Sequence, residues 1–278
     1  MNKNVLIVNF NTQMLTDACI KSVNKFSPGC NIYVFDNSDK EPFVNTFDNV
    51  TVFDNTEGQI INFDEVLERH AERVESGARV NNFGSIKHCL SIEKCLTLIP
   101  DGFVLLDSDV LIKKDFSNLY DEKYIFVGGI ERMSRFKPRV APFIVYINSK
   151  MCNEKGVHYF DENHMFGFNK DTLGDKYDTG CWFYEATEGH DKKIISYNSY
   201  IEHYRAGSWL KDAREKHHYK RMDPDVWLNR YRKYWDDTVT LERKITISMT
   251  KEDNAKPSKP RNPQKVISMI KVKSSIKN

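Results

Sequence analysis

The stretch FVLLDSDVLI, residues 103–112, places two aspartates directly behind a short apolar run. Phe103 to Leu106 are apolar without interruption, which predicts a strand buried on both faces of a sheet. Asp107 and Asp109 follow at the point where that strand leaves the sheet. Because a carboxylate is costly to bury without a partner, we expect these two side chains to hold a ligand.

Strands and helices alternate along most of the chain. Short apolar runs predict further strands at residues 4–10, 31–38, 49–55, 123–129 and 141–149. Apolar residues at helical spacing predict helices over 12–26, 63–76, 84–99 and 223–237. Ser85 is expected to cap the third helix, and Asp223–Pro224 to begin the fourth. The alternation predicts an α/β fold, a mainly parallel sheet with helices on both faces.

Polar side chains follow three of the predicted strands. They are Asn9 and Asn11, Asp36 and Asn37, and Asp107 and Asp109. Ligands of such sheets lie beyond the carboxyl ends of the strands, so we expect the three groups to converge on one edge. Two carboxylates one residue apart suit Mg²⁺ or Mn²⁺, which take oxygen ligands and bridge to substrate phosphates. The alternative from spacing alone is a pair of aspartates that satisfy turn amides.

The formal net charge of +2 argues against a dedicated nucleic-acid binder, but the charge is unevenly distributed. Residues 251–278 hold eight Lys/Arg and two acidic residues, whereas residues 1–250 hold 33 basic and 37 acidic ones. Together with the basic, aromatic stretch 214–235, this tail is expected to contact an anionic membrane surface. The alternative is a solvated helix followed by a soluble, disordered tail.

The domain organisation follows the same change in composition. We predict one domain over 1–240, with a first half over 1–130 and a second half over 131–240. A helical and basic C-terminal extension over 241–278 completes the chain. No Gly-rich phosphate loop and no internal repeat are present in the sequence.

The cysteines and the N-terminus indicate a cellular compartment. Six cysteines occur without a CxxC pair, which favours reduced thiols. The N-terminal stretch MNKNVLIVNFN begins a strand at once and is too short and polar for a signal peptide. No run approaches the ~20 apolar residues of a membrane span. We therefore expect a cytoplasmic protein, peripheral on the inner face of the cell membrane.

Three segments in order resemble a known family. VLIVNFNTQMLTDACIKSV (5–23), YVFDNS (33–38) and FVLLDSDV (103–110) look like the nucleotide-sugar-binding half of GT-A-fold glycosyltransferases, of the family 2-like type that builds bacterial surface polysaccharides. The resemblance is clear over 4–130 and patchy to about 210. It implies a GT-A (Rossmann-like) fold. It also implies metal-dependent, hexosyltransferase-type transfer from a nucleoside diphosphate sugar to a saccharide or lipid-linked saccharide, with UDP as the nucleotide.

The resemblance also assigns residues to the donor site. Asn9 and Asn11 match the loop that lies against the nucleotide, and Asp36 matches the carboxylate that accepts the uracil imide proton. Asp107 matches a ligand of ribose or metal, with Ser108 beside it in the nucleotide-sugar pocket, and Asp109 matches the direct metal ligand. GSIKHCLSI (84–92) is similar to a family stretch that places Ser85 and His88 in the nucleotide pocket. The residue-based alternative for His88 is an ordinary helix histidine.

The segment IEHYRAGSWL (201–210) resembles the part of the family that returns to the metal. It implies that His203 supplies an imidazole ligand, which suits Mn²⁺. Arg205 would offset charge on the leaving group. Ser208 and Trp209 would belong to a loop over the diphosphate. The alternative for His203 is a structural role beside its aromatic neighbours.

The catalytic base is where the chain departs from the family. Inverting family 2 enzymes carry a late Glu-Asp pair that is missing here. KYDTGCWFYE (176–185) offers Asp178 as the best substitute, although an aspartate before Thr-Gly is also typical of a turn. Asp161, Glu162 and Glu185 remain alternatives. Several aromatic residues either stack on sugars or pack in the core, namely Trp182, Phe183, Tyr184 and Trp209.

Three rival functions are separable by features of the sequence. A haloacid dehalogenase-type phosphatase also places DxD after a strand, but Val110 and Leu111 follow here instead of its usual small residue and Thr or Val. A nucleotidyltransferase usually has a Gly-rich basic loop after its first strand, and NFNTQM (9–14) is not one. A non-catalytic nucleotide-sugar-binding module would bind donor without turning it over.

Overall fold

A computed structural model of the chain describes residues 2–71, 83–132, 136–166, 177–204 and 223–237. The strands within these ranges are β1 (Asn4–Asn9), β2 (Asn31–Asp36), β3 (Val50–Asp54), β4 (Phe103–Asp107), β5 (Val110–Ile112), β6 (Phe126–Glu131), β7 (Arg139–Ile147), β8 (Lys193–Ile194) and β9 (Ile201–His203). The helices are α1 (Gln13–Phe26), α2 (Phe63–Arg69), α3 (Phe83–Leu98), α4 (Ser149–Lys155), α5 (Glu162–Phe166), α6 (Cys181–Ala186) and α7 (Pro224–Arg230).

Seven of these strands form one sheet, in the order β3-β2-β1-β4-β7-β6-β8. Strand β7 runs antiparallel to both of its neighbours, and the other pairings are parallel. The predicted mainly parallel α/β sheet is therefore confirmed. Strands β5 and β9 form a separate antiparallel pair next to the sheet.

The two faces of the sheet are covered by different helices, because side chains alternate along each strand. Val104 and Leu106 pack with α1 on one face, in a cluster that includes Cys19, Ile20 and Val23. Phe103 and Leu105 pack with α3 on the other face, in a cluster that includes Ile86, Cys89 and Ile92. The prediction of helices on both faces is confirmed, and β4 is buried as its apolar run requires.

The strand register brings the three polar groups to one edge. Asn9 pairs with Asp36 across β1 and β2, and Val8 pairs with Asp107 across β1 and β4. A hydrogen bond of 3.0 Å from Thr12 Oγ1 to Ser108 Oγ joins the loop after β1 to the turn after β4. The expected convergence of strand ends is confirmed by this register.

Two helix ends differ from the sequence expectation. Helix α3 begins at Phe83, so Ser85 lies inside its first turn, and the cap predicted for Ser85 is wrong. The helix predicted over 63–76 is described as α2 only to Arg69, and residues 72–82 lie outside the described ranges.

The helix predicted over 223–237 is split into α7 and a short 3₁₀ turn at Arg232–Tyr234. Asp223 does begin it, because its carboxylate accepts the Asp225 amide at 2.9 Å and Pro224 takes the first helical position.

Two further expectations concern the cysteines and the bilayer. All six cysteines are free thiols and all are buried, as reduced thiols in a packed core would be. Within the described ranges, none of the helices combines the length and apolar character that a bilayer crossing requires. The predicted extension over 241–278 lies outside those ranges and stays a prediction.

Candidate active site

Asp107 and Asp109 lie beside His203, which follows Asp109 by 94 residues in the sequence. Strand β9 pairs with β5 so that His203 is opposite Val110, directly after Asp109. His203 Nε2 is 3.2 Å from Asp109 Oδ1 and 3.9 Å from Asp107 Oδ2. One ligand atom from each of the three residues lies within 4.8 Å of the others. Two carboxylates and an imidazole on this scale are a ligand set that could hold Mn²⁺ or Mg²⁺.

The electrostatics of this cluster fit a cation. Burial raises the pKa of Asp107 above its ordinary value; the His88 ring acts to lower it, and the charge of Asp109 acts to raise it. Asp109 itself is only 5% exposed. A divalent cation would favour the ionised form of both carboxylates and offset their mutual repulsion.

His88 lies on the other side of Asp107, on α3. Its Nε2 atom is 3.8 Å from Asp107 Oδ1, is buried and has no hydrogen-bond partner among the described residues. Burial lowers the pKa of His88, whereas the charges of Asp107 and Asp178 act to raise it. The ring is therefore neutral near pH 7. Its contact with the nucleotide stays a prediction, and Nε2 lies beside the cluster of Asp107, Asp109 and His203.

Asp178 borders the same region. Its Oδ1 accepts hydrogen bonds from Ser85 Oγ at 2.6 Å and from the Thr179 amide at 2.8 Å. Its Oδ2 accepts one from Arg139 Nη1 at 2.8 Å. The bond from Thr179 is the turn role that the sequence left open. The Ser85 hydroxyl donates its hydrogen bond to Asp178, the candidate base. A nucleotide contact by Ser85 stays a prediction.

Arg139 is the main functional residue that the sequence reasoning missed. It opens β7, next to the DxD strand, and joins Asp178 to Glu131 of β6. On the same strand, the ring of Phe143 lies 4.1 Å from that of His203. An arginine at the start of a strand otherwise made of apolar residues is the signal that could have identified it.

The side chain of Asn9 is buried and is not exposed at the carboxyl edge of the sheet. It is 0% exposed, and its amide nitrogen donates to Asp36 Oδ1 at 2.8 Å and to Ser38 Oγ at 3.0 Å. Its carbonyl oxygen accepts from Thr12 Oγ1 and Thr16 Oγ1. Both amide protons and both acceptor positions are then used. Nucleotide contact by Asn9 stays a prediction that this geometry does not support.

Asp36 is similarly occupied and is 2% exposed. Its Oδ1 accepts from Asn9 and from the amide and hydroxyl of Ser38, and its Oδ2 accepts from the Phe43 amide at 2.7 Å. The carboxylate thus holds the loop after β2 in place. A contact with uracil stays a prediction and would require the residues that cover the buried carboxylate to move.

Asn11 and Ser108 also bind neighbouring loops. Asn11 has φ of 52°, a left-handed conformation that asparagine tolerates, and its side-chain oxygen accepts the amides of Lys40 and Glu41. Ser108 is 6% exposed and accepts from Thr12. Their nucleotide contacts stay predictions; in the structure both residues shape the loops that border the cluster.

Replacing Asn9 should therefore reduce stability. Asn9→Leu removes four buried hydrogen bonds and leaves part of the Asp36 charge without a donor. We expect a loss of about 3 kcal/mol in the free energy of unfolding. Chemical denaturation checks this value, with Asn2→Ala as an exposed control expected to change it by less than about 0.5 kcal/mol. Unchanged stability in Asn9→Leu would contradict the assigned role.

The other candidate bases have structural partners. Asp161 accepts from the His164 backbone and ring, Glu162 pairs with Arg69 and His70, and Glu185 pairs with Tyr177 and Lys137. Of the aromatic residues, Phe183 is fully buried in the core, which is one of the two alternatives that the sequence left open. Trp182 is half-buried and stacks on His164 at 4.2 Å. Arg205, Ser208 and Trp209 lie outside the described residues.

Comparison with known proteins identifies likenesses in structure alone. No protein-family model matches the chain, and no curated protein is a significant match. Similar solved structures include the galactosyltransferase LgtC in complex with donor and acceptor sugar analogues. The two chains are 13% identical, 70% of this chain and 73% of LgtC are covered, and the TM-score is 0.42.

Two further similar structures are longer proteins. Glycosyltransferase GlyE of Streptococcus pneumoniae is 9% identical over 70% of this chain and 45% of its own, with a TM-score of 0.41. TarS of S. aureus is 11% identical over 72% of this chain and 36% of its own, with a TM-score of 0.39. At these identities and TM-scores, the function of the chain has to be inferred from the site itself.

Proposed function

We propose that the chain is a metal-dependent glycosyltransferase of the hexosyltransferase type. It would move a sugar from a nucleoside diphosphate, UDP in our proposal, to a saccharide or lipid-linked saccharide during polysaccharide biosynthesis. The observation that carries the proposal is the Asp107–Asp109–His203 cluster at the carboxyl edge of a mainly parallel sheet. This is the edge at which ligands of such sheets bind.

The proposed roles follow from the geometry of the cluster and its neighbours. Asp107, Asp109 and His203 would hold Mn²⁺ or Mg²⁺, a Lewis acid that neutralises charge on a leaving diphosphate when bound. Asp178 would accept the proton of the acceptor hydroxyl as the new glycosidic bond forms. Ser85 and Arg139 hold the Asp178 carboxylate for this purpose. The role of Arg205 in offsetting leaving-group charge remains part of the proposal.

Uridine is proposed from the sequence resemblance rather than from a described contact. Asp36, the expected uracil partner, already accepts four hydrogen bonds from protein donors. Thymidine would offer the same imide group as uridine. The identity of the nucleobase is therefore included in the test.

Thermal stability against a panel of nucleotides and nucleotide sugars, with and without Mn²⁺, tests the donor site. A ligand at ~100 times its dissociation constant adds about 2.7 kcal/mol of stability, which gives a visible shift in Tm. We expect a shift with UDP or a UDP-sugar that disappears when EDTA removes the metal. No response to any nucleotide would contradict the proposal. Donor binding without UDP release would favour the non-catalytic module.

The membrane contact and the cytoplasmic location belong to the same proposal. The cytoplasmic location rests on the cysteine pattern. The membrane contact rests on the +6 charge of residues 251–278, each basic residue near an anionic surface contributing about 1 kcal/mol. Cosedimentation with phosphatidylserine vesicles compares the full chain with a 1–250 truncation. Equal and negligible binding by the two would contradict the contact.

A further inference from the structure

A line of charged side chains connects β6 to Asp178. Arg139 donates from Nε at 2.9 Å and from Nη2 at 2.8 Å to a single oxygen of Glu131, and from Nη1 at 2.8 Å to Asp178. The Arg139 side chain is 11% exposed. One guanidinium therefore links two carboxylates from different elements, with geometry that a lysine could not reproduce.

The far end of this line is fixed by Tyr197. Its hydroxyl donates to the second oxygen of Glu131 at 2.7 Å. The ring lies so close to Gly129 that a Cβ at that position would be 2.2 Å from ring carbon Cδ1. A glycine is required in β6 for Tyr197 to reach Glu131. Glu131 is thus held in place on both of its oxygens.

The guanidinium stays charged between its two carboxylate partners. Burial acts to lower the pKa of Arg139, but the charges of Asp178 and Glu131 outweigh it and raise the pKa above its ordinary value. Arg139 therefore stays cationic and keeps its three hydrogen bonds to the two side chains, two to Glu131 and one to Asp178.

Several other groups face Asp178. Ser85, His88 and Cys89 come from α3, and Thr179 and Cys181 come from the turn and helix that follow it. Burial lowers the pKa of His88 and raises that of Cys89 to about 12, so both are neutral at pH 7. Among the groups that the structure describes around Asp178, Arg139 is the cation that contacts its carboxylate.

We propose that Arg139 is a positioning residue for the transfer reaction, holding the Asp178 carboxylate in the orientation in which it would meet the acceptor hydroxyl. The inference rests on the proposed function and adds to it a residue that does not itself touch substrate. A purely structural role, joining β6 to β7 and to the turn before α6, is the alternative. The two roles differ in whether kcat falls while folding and the donor KM are kept.

Arg139→Gln and Arg139→Lys test the proposal. The assay follows UDP release from the UDP-hexose that stabilises the chain most, with methyl hexosides as acceptors, across pH. We expect kcat of Arg139→Gln to fall about 10²-fold, since a misplaced reacting group costs that much, while KM for the donor changes little. Lysine, which keeps the positive charge but not the planar fork of donors, should restore part of kcat.

Arg69→Gln is the matched control, because Arg69 pairs with Glu162 and is 54% exposed. It should leave kcat and the pH profile unchanged. If Arg139→Gln does not fold, Arg139→Lys and Tyr197→Phe carry the test, and both should lower kcat with little change in the donor KM. A folded Arg139 variant with the wild-type kcat would overturn the inference. Absence of transfer by the wild-type chain would instead overturn the proposed function.

Discussion

Asp109→Asn is expected to abolish metal-dependent transfer and to lower kcat/KM by at least about 10³-fold, since a metal ion supplies several kcal/mol of transition-state stabilisation. Asparagine keeps the size of the side chain and can still contact His203, which lies 3.2 Å from Asp109. It removes the negative charge that a divalent cation requires. The free energy of unfolding should stay unchanged or rise, because one buried charge is lost.

Mn²⁺ titration followed by electron paramagnetic resonance separates binding from turnover in this variant. Asp101→Asn is the control, an exposed aspartate that precedes β4 at the opposite edge of the sheet, hydrogen-bonded to Asn2. The control should bind Mn²⁺ and transfer sugar as the wild type does. Normal transfer by Asp109→Asn would show that the metal assignment is wrong.

Asp178→Asn is expected to lower kcat by about 10²- to 10⁴-fold, the range for loss of a general base. Asparagine keeps the shape of the side chain, and its one oxygen can accept either from Ser85 and the Thr179 amide or from Arg139, but not from both sides. It cannot take a proton from an acceptor hydroxyl. Mn²⁺ and UDP binding should therefore match the wild type, and the loss should fall on turnover. Thermal shift with UDP and initial rates of UDP release measure the two quantities.

The other acidic candidates provide controls for that experiment. Asp161→Asn weakens contacts with His164, and Glu185→Gln weakens contacts with Tyr177 and Lys137. Neither carboxylate contacts the trio of Arg139, Glu131 and Asp178. Both variants should keep kcat within a few-fold of the wild type. A large loss of kcat in either variant, together with an active Asp178→Asn, would indicate that the residue replaced in that variant is the catalytic base.

Much of the fold was predictable because it depends on local pattern. The apolar run before Asp107 is a buried strand, and the apolar spacing over 84–99 is a helix within one residue at each end. The convergence of strand ends on one edge also followed, since parallel strands share a direction. The role of Ser85 was harder to predict, because serine suits a cap by residue type but lies inside the first turn of α3.

The site was only partly predictable because its decisive contacts are between distant residues. Asp107 and Asp109 could be recognised from the chain, and His203 from a resemblance. Residue type does not tell whether a polar side chain at a strand end faces a ligand or a loop, and Asn9 faces a loop. Arg139 lies 39 residues from Asp178, and no local pattern indicates that pair.

The β5–β9 pair sets an order of events for a chain that emerges from the ribosome. Both aspartates are present once the first 109 residues have been made, but the imidazole follows 94 residues after Asp109. Until β9 has docked against β5, the acidic turn has no third ligand to offer. A nascent or truncated chain would hold the cation loosely, with little hazard of premature chemistry. Under the proposed function, the complete ligand set would form only when the three-residue strand β9 pairs with β5.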